Sequence, residues 1–163
     1  MTTRKPSGRI SPTAARGMRI AVVVSRYNKQ VTARLLRGAR ECLRRQGARP
    51  ADLEIVYCPG AFELPQAANH LARTRSWDAI ICLGAVIRGE TPHFNFVASE
   101  CARGIQTVAL THGLPVLFGV LTTDTLKQAM ERAGGTLGNK GWEVALAAVE
   151  MVRLFRRTKR SRL

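Results

Sequence analysis

Acidic residues are scarce in this sequence, 11 against 26 lysines and arginines, for a formal net charge of +15. The excess sits mostly at the ends. Arg4, Lys5, Arg9 and Arg16 fall within residues 1–16, and Arg153, Arg156, Arg157, Lys159, Arg160 and Arg162 within residues 153–163, with no acid in either stretch. Ends of this kind attract polyanions by counterion release, without sequence preference. Residues 1–16 and 156–163 contain no aromatic for base stacking, and no nucleic-acid motif accompanies them, so nucleic acid is at most a non-specific partner. No apolar run approaches the ~18 residues of a membrane span, so the chain reads as soluble, with no membrane partner. Residues 1–16 are rich in Arg, Ser and Thr, a faint transit-peptide composition, but they lack the apolar segment of a secretory signal. A cytoplasmic location is the expectation. Cys42, Cys58, Cys82 and Cys101 form no C-x-x-C pair and read as small buried hydrophobes in a reducing compartment. His70, His93 and His112 lack H-x-x-x-H spacing, so no metal site is expected. Gly84-x-x-x-x-Gly89 runs into Glu90-Thr91 rather than Lys-Ser/Thr, which excludes a P-loop. There is neither a G-x-G-x-x-G fingerprint nor a nucleophile elbow with Ser, His and Asp.

What is present is a repeating strand–helix pattern. Ile20-Ala21-Val22-Val23-Val24 is apolar enough for a strand buried on both faces, and the first strand is predicted over Met18–Ser25. Val31, Leu35, Leu36, Ala39 and Leu43 then recur at helical spacing, with Arg34, Arg37, Arg40, Arg44 and Arg45 on the opposite, solvated face. Asp52–Cys58 predicts a second strand and Leu64–Thr74 a second helix, with Pro65 tolerated in its first turn. Asp78–Leu83 predicts a third strand, Phe94 to about Thr111 a helix, and Val116–Leu121 a fourth strand. Thr125-x-x-Gln128 is a capping box for a short helix reaching Arg132. Gly138-Asn139-Lys140-Gly141 opens a last helix. With 163 residues and 45% hydrophobic content, the pattern predicts an α/β fold, a three-layer α/β/α sandwich around a four-stranded parallel sheet with right-handed crossovers. One domain is expected over residues 17–155, with a basic, flexible segment at 1–16 and a basic tail at 156–163.

The chain is organised around Gly84-Ala85-Val86-Ile87-Arg88-Gly89-Glu90-Thr91-Pro92-His93-Phe94. The third strand is expected to end at Gly84, and the loop through His93 then leads into a helix. In parallel α/β sheets ligands bind beyond the carboxyl ends of the strands, and helix starts there favour anions. Two further loops, at Tyr27-Asn28 and at Ala61-Phe62-Glu63, fall at the same sheet edge. Flat aromatic surfaces, an imidazole and anion donors suit a planar heterocycle and a phosphorylated small molecule. Histidine is the side-chain type that exchanges protons near neutral pH. The plainer alternatives stay open at this point: an exposed histidine at an ordinary turn, aromatics that merely cap the sheet, a Glu63 that only favours a helix start, and surface positions for His70 and His112.

Four segments carry a resemblance in order and spacing: Pro59-Gly60-Ala61-Phe62-Glu63-Leu64-Pro65, Leu83 to Phe94, Phe118-Gly119-Val120-Leu121-Thr122, and Glu131-Arg132-Ala133-Gly134 through Gly138-Asn139-Lys140-Gly141. From about Met18 to Phe155 the chain resembles lumazine synthase, the penultimate enzyme of riboflavin biosynthesis and a flavodoxin-like fold. The resemblance implies condensation of 5-amino-6-(D-ribitylamino)uracil with 3,4-dihydroxy-2-butanone 4-phosphate, releasing phosphate and water, with no cofactor and no metal. It implies that Tyr27 stacks on the pyrimidine and that Ala61, Phe62, Glu63, Ala85, Val86 and Ile87 hold the ribityl chain and ring edge. Glu90, Thr91 and Arg132 would bind the butanone phosphate, and His93 would be the proton donor and acceptor. Phe118 would be supplied across a subunit interface, with Lys140 near it.

The same resemblance implies a homo-oligomer, at least a pentamer, with a sixty-subunit shell and riboflavin synthase as candidate assemblies. Three departures stand out. Tyr27 replaces a more usual Phe or Trp, Asn95 replaces a common Asp two residues from His93, and the ends are unusually cationic. An alternative reading keeps the fold as a shell-forming scaffold whose basic ends bind nucleic acid or another polyanion.

Overall fold

The Val-rich run folds as β1 (Ile20–Ser25), and all six of its residues are buried. Its side chains divide by parity between two cores. Ile20, Val22 and Val24 join a cluster with α1 (Lys29–Arg45) and α5 (Lys140–Arg160), while Ala21 and Val23 join one with α2 (Leu64–Thr74) and α3 (His93–His112). The adjacent β3 (Ala79–Ile87) repeats the division, with Ile81, Leu83 and Ala85 in the first cluster and Ile80, Cys82 and Val86 in the second. A period of two with both faces covered is what a central parallel strand requires. Each fully buried Val, Ile or Leu contributes roughly 1.5–3 kcal/mol. The computed structural model describes residues 11–74 and 76–160. The first ten residues of the basic amino-terminal segment and the last three of the carboxyl-terminal tail lie outside the described residues.

Among the described residues the main sheet has four parallel strands in the order β2 (Leu53–Cys58), β1, β3, β4 (Val116–Thr123). This is the expected α/β sandwich, with β2 and β4 at the edges. Two strand ends differ from expectation. Strand β3 continues four residues past Leu83, and β4 runs to Thr123 with Ile87 opposite it. Gly84 lies within β3 and does not end it. A Cβ there would stand 3.0 Å from Leu64 Cδ1 and 3.3 Å from Ser25 Oγ, so the glycine lets the base of α2 sit against the sheet. The loop proper is therefore only Arg88–Pro92.

Helix α4 (Leu126–Arg132) starts with the predicted capping box. Gln128 N donates to Thr125 Oγ1 and Thr125 N donates to Gln128 Oε1, both at 3.2 Å. A short antiparallel hairpin, β5 (Ala133–Gly135) and β6 (Gly138–Asn139), then leads into α5. The Gly138–Gly141 segment has a clear packing role. Asn139 Oδ1 accepts from Trp142 N at 3.2 Å and caps α5, and its Nδ2 donates to Arg34 O on α1 at 3.0 Å. A Cβ at Gly141 would collide with the Leu35 carbonyl oxygen, so glycine is required where α5 crosses α1.

Helix α5 continues past Phe155 to Arg160, and Arg156 pairs with Asp78 at 2.8 Å. Asp78 also accepts from Arg19 N, at 2.8 Å, beside the start of β1. At the other end of the domain's first segment, Ala15 is fully buried and its N–H donates to Gln46 O at 2.8 Å. All four cysteines are free and buried. His70 is exposed, whereas His112 is half-buried and shares a 2.8 Å hydrogen bond with Asn69. Among the described residues no helix is long and apolar enough to cross a membrane.

Candidate active site

Three strands end at one place, and their loops are stitched together there. After β1 the chain turns through Arg26-Tyr27-Asn28. Tyr27 N donates to Pro59 O at 3.1 Å, which joins this turn to the one after β2. Asn28 is in the left-handed region (φ 55°, ψ 43°) as it enters α1, a conformation that Asn tolerates better than most residues. Its Nδ2 donates to Ala85 O on β3 at 2.8 Å. After β2, Gly60 N donates to Glu63 Oε2 at 2.9 Å, closing the one-turn helix Ala61–Glu63. The Tyr27 ring rests against Gly60, where a Cβ would approach Cδ2 to 3.3 Å. A side chain at this position would make the ring give way by a few tenths of an ångström.

The third loop, Arg88–Pro92, delivers His93 as the first residue of α3, at the positive end of the helix dipole. Together the three loops wall a cleft of about 710 Å³. Of the residues singled out in the sequence, Tyr27, Ala61, Phe62, Glu63, Ala85, Val86, Ile87, Thr91 and His93 line it. Tyr27 is 72% exposed and Phe62 51% exposed, so these rings do not cap the sheet as buried residues; both stand exposed along the cleft. The cleft therefore has aromatic surfaces, an apolar floor of Ala85, Val86 and Ile87, a carboxylate, a hydroxyl and an imidazole. That set can hold a flat polar ring and exchange protons with it.

Glu90, Phe118, Arg132 and Lys140 are not among the lining residues of this cleft. Glu90 is exposed on the loop. Phe118 lies opposite Cys82 on the edge strand β4 and is 38% exposed. Arg132 ends α4, with Nη1 donating back to Gln128 O at 3.0 Å. Lys140 begins α5 and is ion-paired with Glu143. Phe96 and Val97, one turn into α3, also line the cleft, and their helical spacing from His93 could have pointed to them.

Sequence reasoning also missed Arg88. Its guanidinium lies 4.2 Å from the Phe94 ring centroid, Nε donates to Asp124 Oδ1 at 2.7 Å and Nη1 donates to Asn95 Oδ1 at 3.2 Å. A single cation between an apolar strand end and a glycine was the available signal.

A parallel α/β domain whose strand ends gather aromatic faces, a carboxylate and an imidazole in one cleft has the architecture of an enzyme acting on small molecules. A family model for 6,7-dimethyl-8-ribityllumazine synthase matches residues 17–156. A 6,7-dimethyl-8-ribityllumazine synthase from Desulfatibacillum aliphaticivorans is 51% identical over 146 residues, which cover 90% of this chain and 94% of that protein. The chain belongs to the 6,7-dimethyl-8-ribityllumazine synthase family.

Proposed function

We infer that the cleft beyond β1, β2 and β3 is where this family member carries out its reaction, within a single domain over residues 17–155. The reaction is the condensation of 5-amino-6-(D-ribitylamino)uracil with 3,4-dihydroxy-2-butanone 4-phosphate to 6,7-dimethyl-8-ribityllumazine, with release of phosphate and water. The observation that carries this reading is the convergence of Tyr27, Phe62, Glu63, Thr91 and His93 on one cleft. A pure scaffold would have no need of that set.

In this reading the Tyr27 ring stacks on the pyrimidine, and Ala61, Phe62 and Glu63 with Ala85, Val86 and Ile87 hold its edge and ribityl chain. The pyrimidine brings its own amine to the ketone, so forming the imine requires no enzyme nucleophile. Positioning the two substrates supplies much of the rate, and His93 moves protons during imine formation and loss of phosphate. Glu90, Thr91 and Arg132 bind the phosphate, the arginine by a charge-assisted fork. Phe118, Arg132 and Lys140 do not line the cleft of their own chain, which is compatible with a site completed by an adjacent subunit.

Family membership brings homo-oligomeric assembly. The pentamer is the assembly we propose, with the sixty-subunit shell as its larger form. A cytoplasmic location and riboflavin synthase as a partner follow from the family reading alone. Mixing the purified protein with both substrates and following the fluorescent lumazine tests the activity; no product above the spontaneous background rejects it. Light scattering at about 0.15 M salt, near physiological ionic strength, tests the assembly. A particle no larger than a pentamer or decamer rejects the shell, and an active monomer rejects the shared site.

A further inference from the structure

We propose that Arg88 is a positioning residue for the reaction, holding the Gly89–Pro92 loop and the start of α3 so that Thr91 and His93 meet the substrates in a fixed geometry. The proposal rests on the assignment of His93 and Thr91 above. Between Ile87 and His93 the loop has few other restraints. Nothing surrounds Gly89 within 4 Å of where a Cβ would be, and Pro92, at the start of α3, provides no side-chain cap. Arg88 ties the loop on both sides. Its backbone N–H donates to Thr123 O at 2.9 Å, continuing the β3–β4 ladder, and its Nε grips Asp124 at 2.7 Å just beyond that strand. On the other side the same guanidinium lies over the Phe94 ring and donates to Asn95 in the first turn of α3. The planar fork reaches these partners at once, which the point charge of lysine could not do.

The tie combines one charged and one neutral partner. Asp124 supplies the negative charge, and Asn95 has only to offer an oxygen. The side chains of Arg88 and Asp124 are 44% and 66% exposed. Exposed pairs add little to global stability, so removing this one should leave the fold in place, and any kinetic loss then reads as lost alignment. Arg88 does not line the cleft, which separates it from the residues proposed to hold the pyrimidine.

The test uses the full-length assembled protein and the variants Arg88→Gln and Asp124→Asn. Misplacement of reacting groups by about 1 Å can cost on the order of 10²-fold in rate; for Arg88→Gln a fall of roughly tenfold or more in kcat is expected, with the KM for the pyrimidine held within about twofold. The pyrimidine's platform, Tyr27 and Phe62, belongs to the other two loops. Asp124→Asn should shift the parameters in the same direction by less. Hydrogen exchange should accelerate in Arg88→Gln at the amides of residues 89–91 and 93–95 while particle size stays unchanged. A kcat within about twofold of the unmodified protein, a pyrimidine KM that rises as much as kcat falls, or exchange that is unchanged or raised across the whole chain overturns the proposal. An unmodified protein that makes no lumazine fails the functional assignment instead, and the hydrogen-exchange comparison still decides whether Arg88 orders the loop.

Discussion

Asn28 reaches across the sheet end to Ala85, donating from Nδ2 to its carbonyl oxygen at 2.8 Å while its own backbone is left-handed. One residue thereby fixes the turn that presents Tyr27 and the strand that floors the cleft. Asn28→Ala loses a hydrogen bond, worth about 0.5–1.5 kcal/mol, and adds left-handed strain of roughly 1–2 kcal/mol. Asn28→Gly loses only the bond. Chemical denaturation should therefore rank the glycine variant above the alanine variant, and both below the unmodified chain. If the two substitutions cost the same, the backbone conformation carries no energy at this position.

His93 and Arg132 are assigned different tasks, and kinetics can separate them. His93→Ala should lower kcat by roughly 10²–10⁴-fold, the usual range for a lost general acid or base, with both KM values nearly unchanged. Arg132→Ala should raise the KM for the phosphorylated butanone by roughly tenfold or more, the scale of a lost charged hydrogen bond, and should scarcely move that for the pyrimidine. Equal changes in the two KM values would place the phosphate elsewhere.

Burial pushes the thiols upward from an ordinary 9.0: Cys58 to about 11, and Cys42 and Cys101 to about 12, with Cys82 raised for the same reason. The folded protein keeps these protons at a pH where the unfolded chain gives them up. The stabilisation is complete below pH ~9 and is lost as pH rises toward the folded-state values. The melting temperature should fall between about pH 9 and pH 11, less steeply in Cys58→Ala and Cys101→Ala. An identical slope in those variants would assign the loss to other groups.

Gly141→Ala puts a methyl group against the Leu35 carbonyl oxygen at the crossing of α1 and α5. Overpacking of this kind costs typically about 1–3 kcal/mol. For a chain of this size the melting temperature should drop by roughly 2–4 °C per kcal/mol. An unchanged melting temperature would mean that the crossing has slack.

The double burial of β1 was legible because apolar residues occupy both parities there, a pattern that suits a strand covered on both faces. The capping box at Thr125 was equally plain, since its chemistry is local. Gly84 misled because glycine reads as a stop, while its purpose depends on Leu64 and Ser25, distant in sequence. The end of α5 was hidden for a related reason. A run of arginines carries no apolar period to signal a helix, yet Arg156 finds Asp78 across the fold. At the site, the lining residues followed from loops at strand ends, whereas the Arg88 network needed the position of Asp124, 36 residues away.

The Arg156–Asp78 pair marks the amino ends of the strands, and the cleft opens at their carboxyl ends. A strand of nine residues spans on the order of 30 Å, several times the Debye length of about 8 Å in a physiological salt solution. Exposed charges at the two ends are therefore largely screened from one another through the solvent. Neutralising Arg156 should accordingly leave the KM for the phosphorylated butanone close to that of the unmodified protein at physiological salt.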